Sequence, residues 1–186
     1  MCTITLAACR AAFICWACLI LAIACEDSSK PPPQSRAVQG EAKGPDGSQV
    51  VHLYFSDKEN SFLIAENRHL LNQNDPASLG TQIVQALLKG PQTALEPTIP
   101  EDTALKAFYL TQNGIAFVDL SVEVMENHPG GAQQELLTIY SIVNSLILNS
   151  NEIKAVKILI DGREASTLAG HIDLRAPLKA NMLLIR

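Results

Sequence analysis

Paired apolar runs separated by turn residues, two helical stretches with apolar residues every three or four positions, and a closing β-branched run predict an α+β fold. The expected architecture is a mixed sheet of hairpins with two helices packed on one face, in the order ββαββαβ. A chain of 186 residues sets the scale, since its last 137 residues (50–186) are enough for one core without disulfide staples.

The first strand is Val50-Val51-His52-Leu53-Tyr54-Phe55, β-branched and aromatic, closed by the polar run Ser56-Asp57-Lys58-Glu59-Asn60. Residues 62–71 return as its hairpin partner. Asn74-Asp75-Pro76-Ala77-Ser78 then offers cap and first-turn chemistry, and Leu79, Ile83, Val84, Leu87 and Leu88 form one apolar stripe of a helix. That helix stops at Lys89, because Gly90 accepts a left-handed conformation and Pro91 cannot continue the ladder. Pro97 and Pro100 make 92–103 an irregular loop. Residues 105–110 and 115–120 read as a second hairpin around Asn113-Gly114, a pair suited to a tight turn with positive φ at both positions. Gly130-Gly131 opens the longest helix, 132–149, with Leu136, Ile139, Tyr140, Val143 and Ile147 on one side and Leu137, Ile142, Leu146 and Leu148 widening it. Residues 155–160 (AVKILI) are a further strand, Asp161-Gly162 a turn, and 166–172 a short edge piece before an apolar tail at 181–185.

The stretch 11–24 (AAFICWACLILAIA) is almost wholly apolar, follows Arg10, and is too short for the roughly 20 residues of a membrane span. A signal-peptide core fits it. It runs through Leu21-Ala22-Ile23-Ala24 into Cys25, and this sequence resembles the lipobox of bacterial lipoproteins, with Ala22 where a leucine is usual. The resemblance implies cleavage before Cys25 and lipid on its sulfur. The alternatives are an uncleaved N-terminal helix, or cleavage after Ala24 with Cys25 unmodified. Residues 1–24 are thus expected to be a leader and 25–49 an anchor and linker. The linker has no aliphatic residue larger than Val38 and contains Pro31-Pro32-Pro33, so it cannot bury enough surface to offset its ordering entropy.

Composition removes several function classes. All five cysteines, Cys2, Cys9, Cys15, Cys18 and Cys25, lie in the leader or at its end, which leaves the domain no disulfide, thiolate metal site or cysteine nucleophile. A net charge of −5 without a basic stripe argues against nucleic acid as a partner. No G-x-S-x-G, G-x-x-x-x-G-K or H-E-x-x-H occurs, so no catalytic residue, cofactor or metal is assigned. His52, His69, His128 and His171 share no ligand spacing. A carboxylate pair of Asp119 with Asp161 or Asp173 is explained more simply by turn and strand-end roles.

LYFSD at 53–57, Arg68, LLKGP at 87–91, Ile99-Pro100, GIAFVDLS at 114–121, GG-x-x-x-E at 130–135, IVNSL at 142–146, ILIDG at 158–162 and GHIDL at 170–174 occur in order. Together they resemble the blocks of the GerM-type (GerMN) domain of sporulation and spore germination over about residues 50–178. The resemblance implies an extracytoplasmic, lipid-anchored, non-catalytic module of the cell envelope, similar to ring-building folds. Well-studied members carry two copies; this sequence carries one.

Each block also has a structural explanation. Gly130-Gly131 could present amides to an anion, but helix-start geometry accounts for both glycines. Glu135 and Asn144 are polar residues on the most apolar helix, where an unsatisfied side chain costs about 1 to 3 kcal/mol, so both are expected to be bonded. Arg68 or a loop amide is the expected partner of Glu135, with ligand binding as the alternative role of Arg68, Glu135 and Asn144. The expected partners are the membrane, through Cys25, and envelope proteins, with self-association possible. A peptidoglycan-binding module is the alternative, although Trp16, the sole tryptophan, departs with the leader and leaves no indole platform.

Overall fold

A computed structural model describes residues 47–72 and 75–186, all within one unit that runs from Gly40 to Arg186. The expected leader, Cys25 and the linker as far as residue 46 lie outside the described residues. The fold is α+β, with strands β1 (Ser48–Ser56) and β2 (Leu63–Leu71), helix α1 (Pro76–Leu88), strands β3 (Leu105–Leu110) and β4 (Ile115–Leu120), helices α2 (Glu123–Glu126) and α3 (Ala132–Ile147), strands β5 (Ala155–Ile160) and β6 (Arg163–Glu164), and a closing 3-10 turn (Met182–Leu184).

The hairpins form two sheets where one mixed sheet was expected. β1 and β2 pair antiparallel by themselves, while the second sheet has the order β3-β4-β5-β6 and is mixed, with β4 and β5 parallel. The reason lies at the outer edge of β1. Alternate residues of that strand direct their backbone groups away from β2, and these are taken up by a helix and a loop. The His52 N–H donates to Asn149 Oδ1 at 2.8 Å, and Asn149 Nδ2 donates back to the His52 carbonyl at 2.7 Å. The Tyr54 N–H donates to Ser145 Oγ at 3.0 Å, and Ser56 exchanges both backbone bonds with Glu96. With the edge taken up from His52 to Ser56, no strand of the second hairpin can add along that half of it. α3 accordingly ends at Ile147, two residues before the expected boundary, which leaves Asn149 free to act as a one-residue strand surrogate.

Local chemistry accounts for the other elements. Asp75 caps α1 by accepting from the Ser78 N–H at 2.9 Å and the Ser78 hydroxyl at 2.7 Å, with Pro76 in the first turn, where its missing N–H costs nothing. Gly80, in the middle of α1, lies so close to the Phe108 ring of β3 that a Cβ would overlap it. Among the turns, the tight two-residue type with positive φ at both positions is Asp161-Gly162 (49° and 73°), joining β5 to β6. At Asn113-Gly114 only Gly114 (81°) is left-handed, because the Thr111 carbonyl accepts the Gly114 N–H and Thr111 bonds to Ile115, making a longer turn. The segment 166–172, expected as an edge strand, is a loop whose amides turn inward. α3 packs on β1 and β5, and α1 packs on β3 and against α3. Between them Leu53, Phe55, Ile83, Val118, Ile142 and Leu146 are fully buried in one core, each contributing about 1.5 to 3 kcal/mol of burial.

The bond from Ser145 is the buried part of the β1 seal. Ser145→Ala should lower stability by about 1 to 3 kcal/mol, since it strands the Tyr54 N–H without water. Asn149→Ala, at a more exposed position, should cost about 1 kcal/mol. Urea midpoints at constant slope check both, and an unchanged midpoint for Ser145→Ala would remove the account of the divided sheet.

Candidate functional site

Glu135 enters α3 one turn after its start and is 0% exposed. Its Oε1 accepts from the N–H groups of Leu168 (2.8 Å) and Ala169 (2.9 Å), and its Oε2 from the N–H of His171 (2.8 Å) and from His171 Nδ1 (3.1 Å). Burial by itself would push this carboxyl up, but the loop amides outweigh it and hold Glu135 below the ordinary glutamate range. Of the two expected partners, the loop amide is the one found. Arg68 is elsewhere. Every lone pair of the carboxylate that faces the loop is occupied, so Glu135 organises the GHIDL block and offers nothing to solvent.

Arg68 is directed inward from β2 and bonds Glu66, two residues earlier on the same face, with Nε to Oε1 at 2.5 Å. Its Nη2 donates to the Gly90 carbonyl at 2.8 Å. Glu66 accepts in addition from the Gln92 and Thr93 N–H groups and from the Thr93 hydroxyl (2.6 Å). Burial raises this carboxyl and these donors lower it, with a net downward shift. The pair therefore clamps the segment after α1 beneath the first sheet. Asn144, also 0% exposed, makes a two-way bridge with Asn181: Nδ2 donates to its carbonyl at 3.0 Å, and Oδ1 accepts its N–H at 2.9 Å. Arg68, Glu135 and Asn144 thus hold three different segments and do not converge on one site.

Three further polar groups take structural roles outside the candidate set of the sequence, where His128 enters only as one of four histidines without ligand spacing. Glu66 could have been found, because it shares the inward face with Ile64, Arg68 and Leu70. Lys157, 3% exposed on β5, donates from Nζ to the carbonyls of Leu174 (3.1 Å) and Arg175 (2.5 Å), with Glu164 at 3.6 Å. His128 accepts the Gly130 N–H at Nδ1 (3.0 Å) and meets Thr138 Oγ1 at Nε2 (3.2 Å). The Thr138 hydroxyl spends its only hydrogen on the Thr98 carbonyl (2.6 Å), so Nε2 must carry the ring proton and the imidazole is neutral. Burial holds His128 below the ordinary histidine value, with Glu135 acting upward and His171 downward.

Asp119, Asp161 and Asp173 form no carboxylate pair and hold the separate roles that turn and strand-end chemistry suggested. Asp119 Oδ1 accepts the Gly162 N–H at 2.8 Å, Asp161 meets Lys106 Nζ at 2.6 Å on the surface, and Asp173 pairs with Arg175, which holds its carboxyl down at about 2. Among the described residues no three His, Cys, Asp or Glu side chains stand close enough to hold a metal ion, and no helix is long and apolar enough to cross a membrane. Clefts are shallow. One of about 180 Å³ lies between Pro97, Thr98, Pro100 and Pro129, with Gln134 and Thr138 below, and one of about 440 Å³ runs along residues 64–67 of β2 beside 93–95.

Residues 52–166 match the Germane family, described as sporulation and spore germination. The chain belongs to the Germane family. That family is described by a process and not by a reaction. Among solved structures, the Germane domain is similar to a protein from Clostridium perfringens described as a candidate lipoprotein, with 28% identity and a TM-score of 0.51 over 72% of this chain and 88% of that one. It is also similar to the first GerMN domain of the sporulation protein GerM from Bacillus subtilis, with 21% identity and a TM-score of 0.55 over 70% of this chain and 96% of that one. The tandem GerMN domains of the same protein give 20% identity and a TM-score of 0.58 over 71% of this chain and 46% of that one, so this chain spans about half of the tandem. No curated protein matches the chain.

The buried acids and His128 make the stability of the Germane domain acid-sensitive in two steps. A histidine whose pKa is depressed on folding contributes stability that is lost as pH falls below the ordinary value of 6.5, because the unfolded chain takes up the proton first. The lowered Glu66 and Glu135 contribute stability that is lost below about pH 4.5. Urea titrations across pH should therefore show both losses, with His128→Gln removing the upper one. Glu135→Gln should cost on the order of 2 to 4 kcal/mol at neutral pH, since its NH2 would face donors. An unchanged melting temperature for Glu135→Gln would contradict the cradle.

Proposed function

We propose that the chain is an extracytoplasmic lipoprotein of the cell envelope, held to a membrane by lipid on Cys25, and that its Germane domain is a non-enzymatic protein-interaction and assembly module. The observation that carries this reading is the occupation of the domain's buried polar groups. Arg68, Glu135 and Asn144, the residues with the chemistry to bind or turn over a small molecule, are each committed to bonds within the fold. What the domain leaves available is backbone edge and surface, which is the equipment of a protein that recognises other chains. A glycan-binding role has less support, because Tyr109 is the one large aromatic side chain widely exposed among the described residues.

Two measurements test the two halves of the proposal. Metabolic labelling with a palmitate analogue should mark the native chain and not Cys25→Ser, which should leave the membrane fraction. Recovery of unacylated protein with residues 1–24 attached would overturn the anchor. Cross-linking the full chain in envelope membranes should retain specific proteins. Recovery of peptidoglycan alone would replace the interaction module with the glycan reading.

A further inference from the structure

One imidazole joins three segments at the start of α3. His128 accepts the Gly130 N–H at Nδ1 (3.0 Å) and donates from Nε2 to Thr138 Oγ1 (3.2 Å), whose own hydrogen goes to the Thr98 carbonyl (2.6 Å). The turn at 128–131, the second turn of α3 and the 97–101 loop are thus tied through the ring.

Little else secures that turn. Gly130 and Gly131 both have positive φ (83° and 86°), a Cβ on either would meet nothing within 4 Å, and Gly131 caps α3 without a side-chain bond. Outside the helix ladder, the other polar ties of this stretch are the His128 N–H to the Met125 carbonyl (3.3 Å) and an exposed bond from Gln133 Nε2 to the Ser61 carbonyl (3.1 Å). Firm attachment resumes on either side. Asn127 donates from its backbone to the Glu123 carbonyl and from Nδ2 to the Glu101 carbonyl, and Glu135 is fixed by the 168–171 loop. Residues 128–134 are the unit left between these anchors.

We propose that His128 is a proton-operated latch: when the ring takes a second proton, residues 128–134 release from the 97–101 loop while the rest of the domain stays folded. A proton at Nδ1 sets an N–H against the Gly130 N–H at 3.0 Å, so that donor meets donor. Turning the ring over brings no relief, because both nitrogens of the cation are donors. The turn must give way, and two glycines in open space let it move at low cost. Its departure carries Pro129 off the wall that it shares with Pro97 and Pro100, which opens the cleft of about 180 Å³.

Few charges surround the ring. Glu135 of α3 favours the added proton and His171 of the 168–171 loop opposes it, while burial keeps the ring neutral at neutral pH. Glu135 cannot receive the new N–H, since the loop already occupies both of its oxygens. Glu101 on the 97–101 loop and Glu126 on α2 are exposed. The latch therefore holds near neutrality and lets go at a pH below the ordinary histidine value of 6.5.

Hydrogen exchange of the full chain tests the latch, read by mass spectrometry on peptides within 127–134 and referred at each pH to the free-peptide rate. From about pH 7.5 to about pH 4.5 the protection of this segment should fall. The fall should steepen to about tenfold per pH unit once the ring is charged, because closure then requires loss of the proton first. Peptides from 51–55 and 142–146 should keep their protection. His128→Asn places an oxygen near the position of Nδ1 and takes up no proton, so its segment should stay protected across the range. A native profile that stays flat, or a loss shared by the core peptides, overturns the proposal. So does a fall in His128→Asn equal to that of the native chain, which would assign the titration to another group. Should His128→Asn fail to fold, the native profile decides by itself.

Discussion

Main-chain groups brought against the middle of a helix cannot pair with its backbone, whose own groups are already bonded, so those packed on α3 that no sheet neighbour satisfies fall to that helix's side chains. α3 meets this constraint along its whole length. Glu135 receives the 168–171 loop, Ser141 accepts the Thr98 hydroxyl, Asn144 brackets Asn181, Ser145 takes Tyr54, and Asn149 just beyond the helix completes His52. The same helix buries Ile139, Ile142, Val143 and Leu146 in the core. It is therefore buried nearly all round, with one stripe supplying apolar area and another supplying donors and acceptors. Buried polar groups that are fully bonded fix one arrangement where apolar contacts alone would tolerate several.

This division of labour explains what the sequence made legible. Strand and helix positions followed from periodicity, since 53, 55, 83, 87, 142 and 146 obey the spacings of their elements. Glu135 and Asn144 stood out because charge and amide on an apolar helix demand partners. The partners themselves were not readable. They are main-chain groups of residues 168–171 and 181, which carry no side-chain signature and lie more than thirty positions away. The loop at 166–172 reads as a strand for the same reason: its apolar residues look like an edge, but its amides are spent on a carboxylate. Asp161-Gly162 and Asn113-Gly114 have equivalent turn chemistry, and only the Thr111 bonds distinguish them. Membership of the Germane family, by contrast, was legible in the ordered series of short blocks.

The partition into two sheets follows from the same constraint and leaves the two edges of the first hairpin with different fates. On the β1 side, Ser145 of α3, Asn149 beyond its end and the backbone of Glu96 occupy the edge from His52 to Ser56. On the β2 side only the ends are bonded among the described residues. The buried Glu66–Arg68 pair sits under that open side and ties it to the segment following α1, so the hairpin is held rigid from below while its rim stays accessible. A rigid strand loses little conformational entropy on pairing, which favours recognition through backbone over recognition through mobile loops.

Lys157 extends the idea to a position where the fold needs a positive charge. Its ammonium, 3% exposed, gathers the carbonyls of Leu174 and Arg175 much as a bound cation gathers oxygen ligands, and it does so from the middle of a central strand. A stretch of chain with almost no regular structure of its own is thereby given a fixed shape by a charge that the neighbouring strand itself carries.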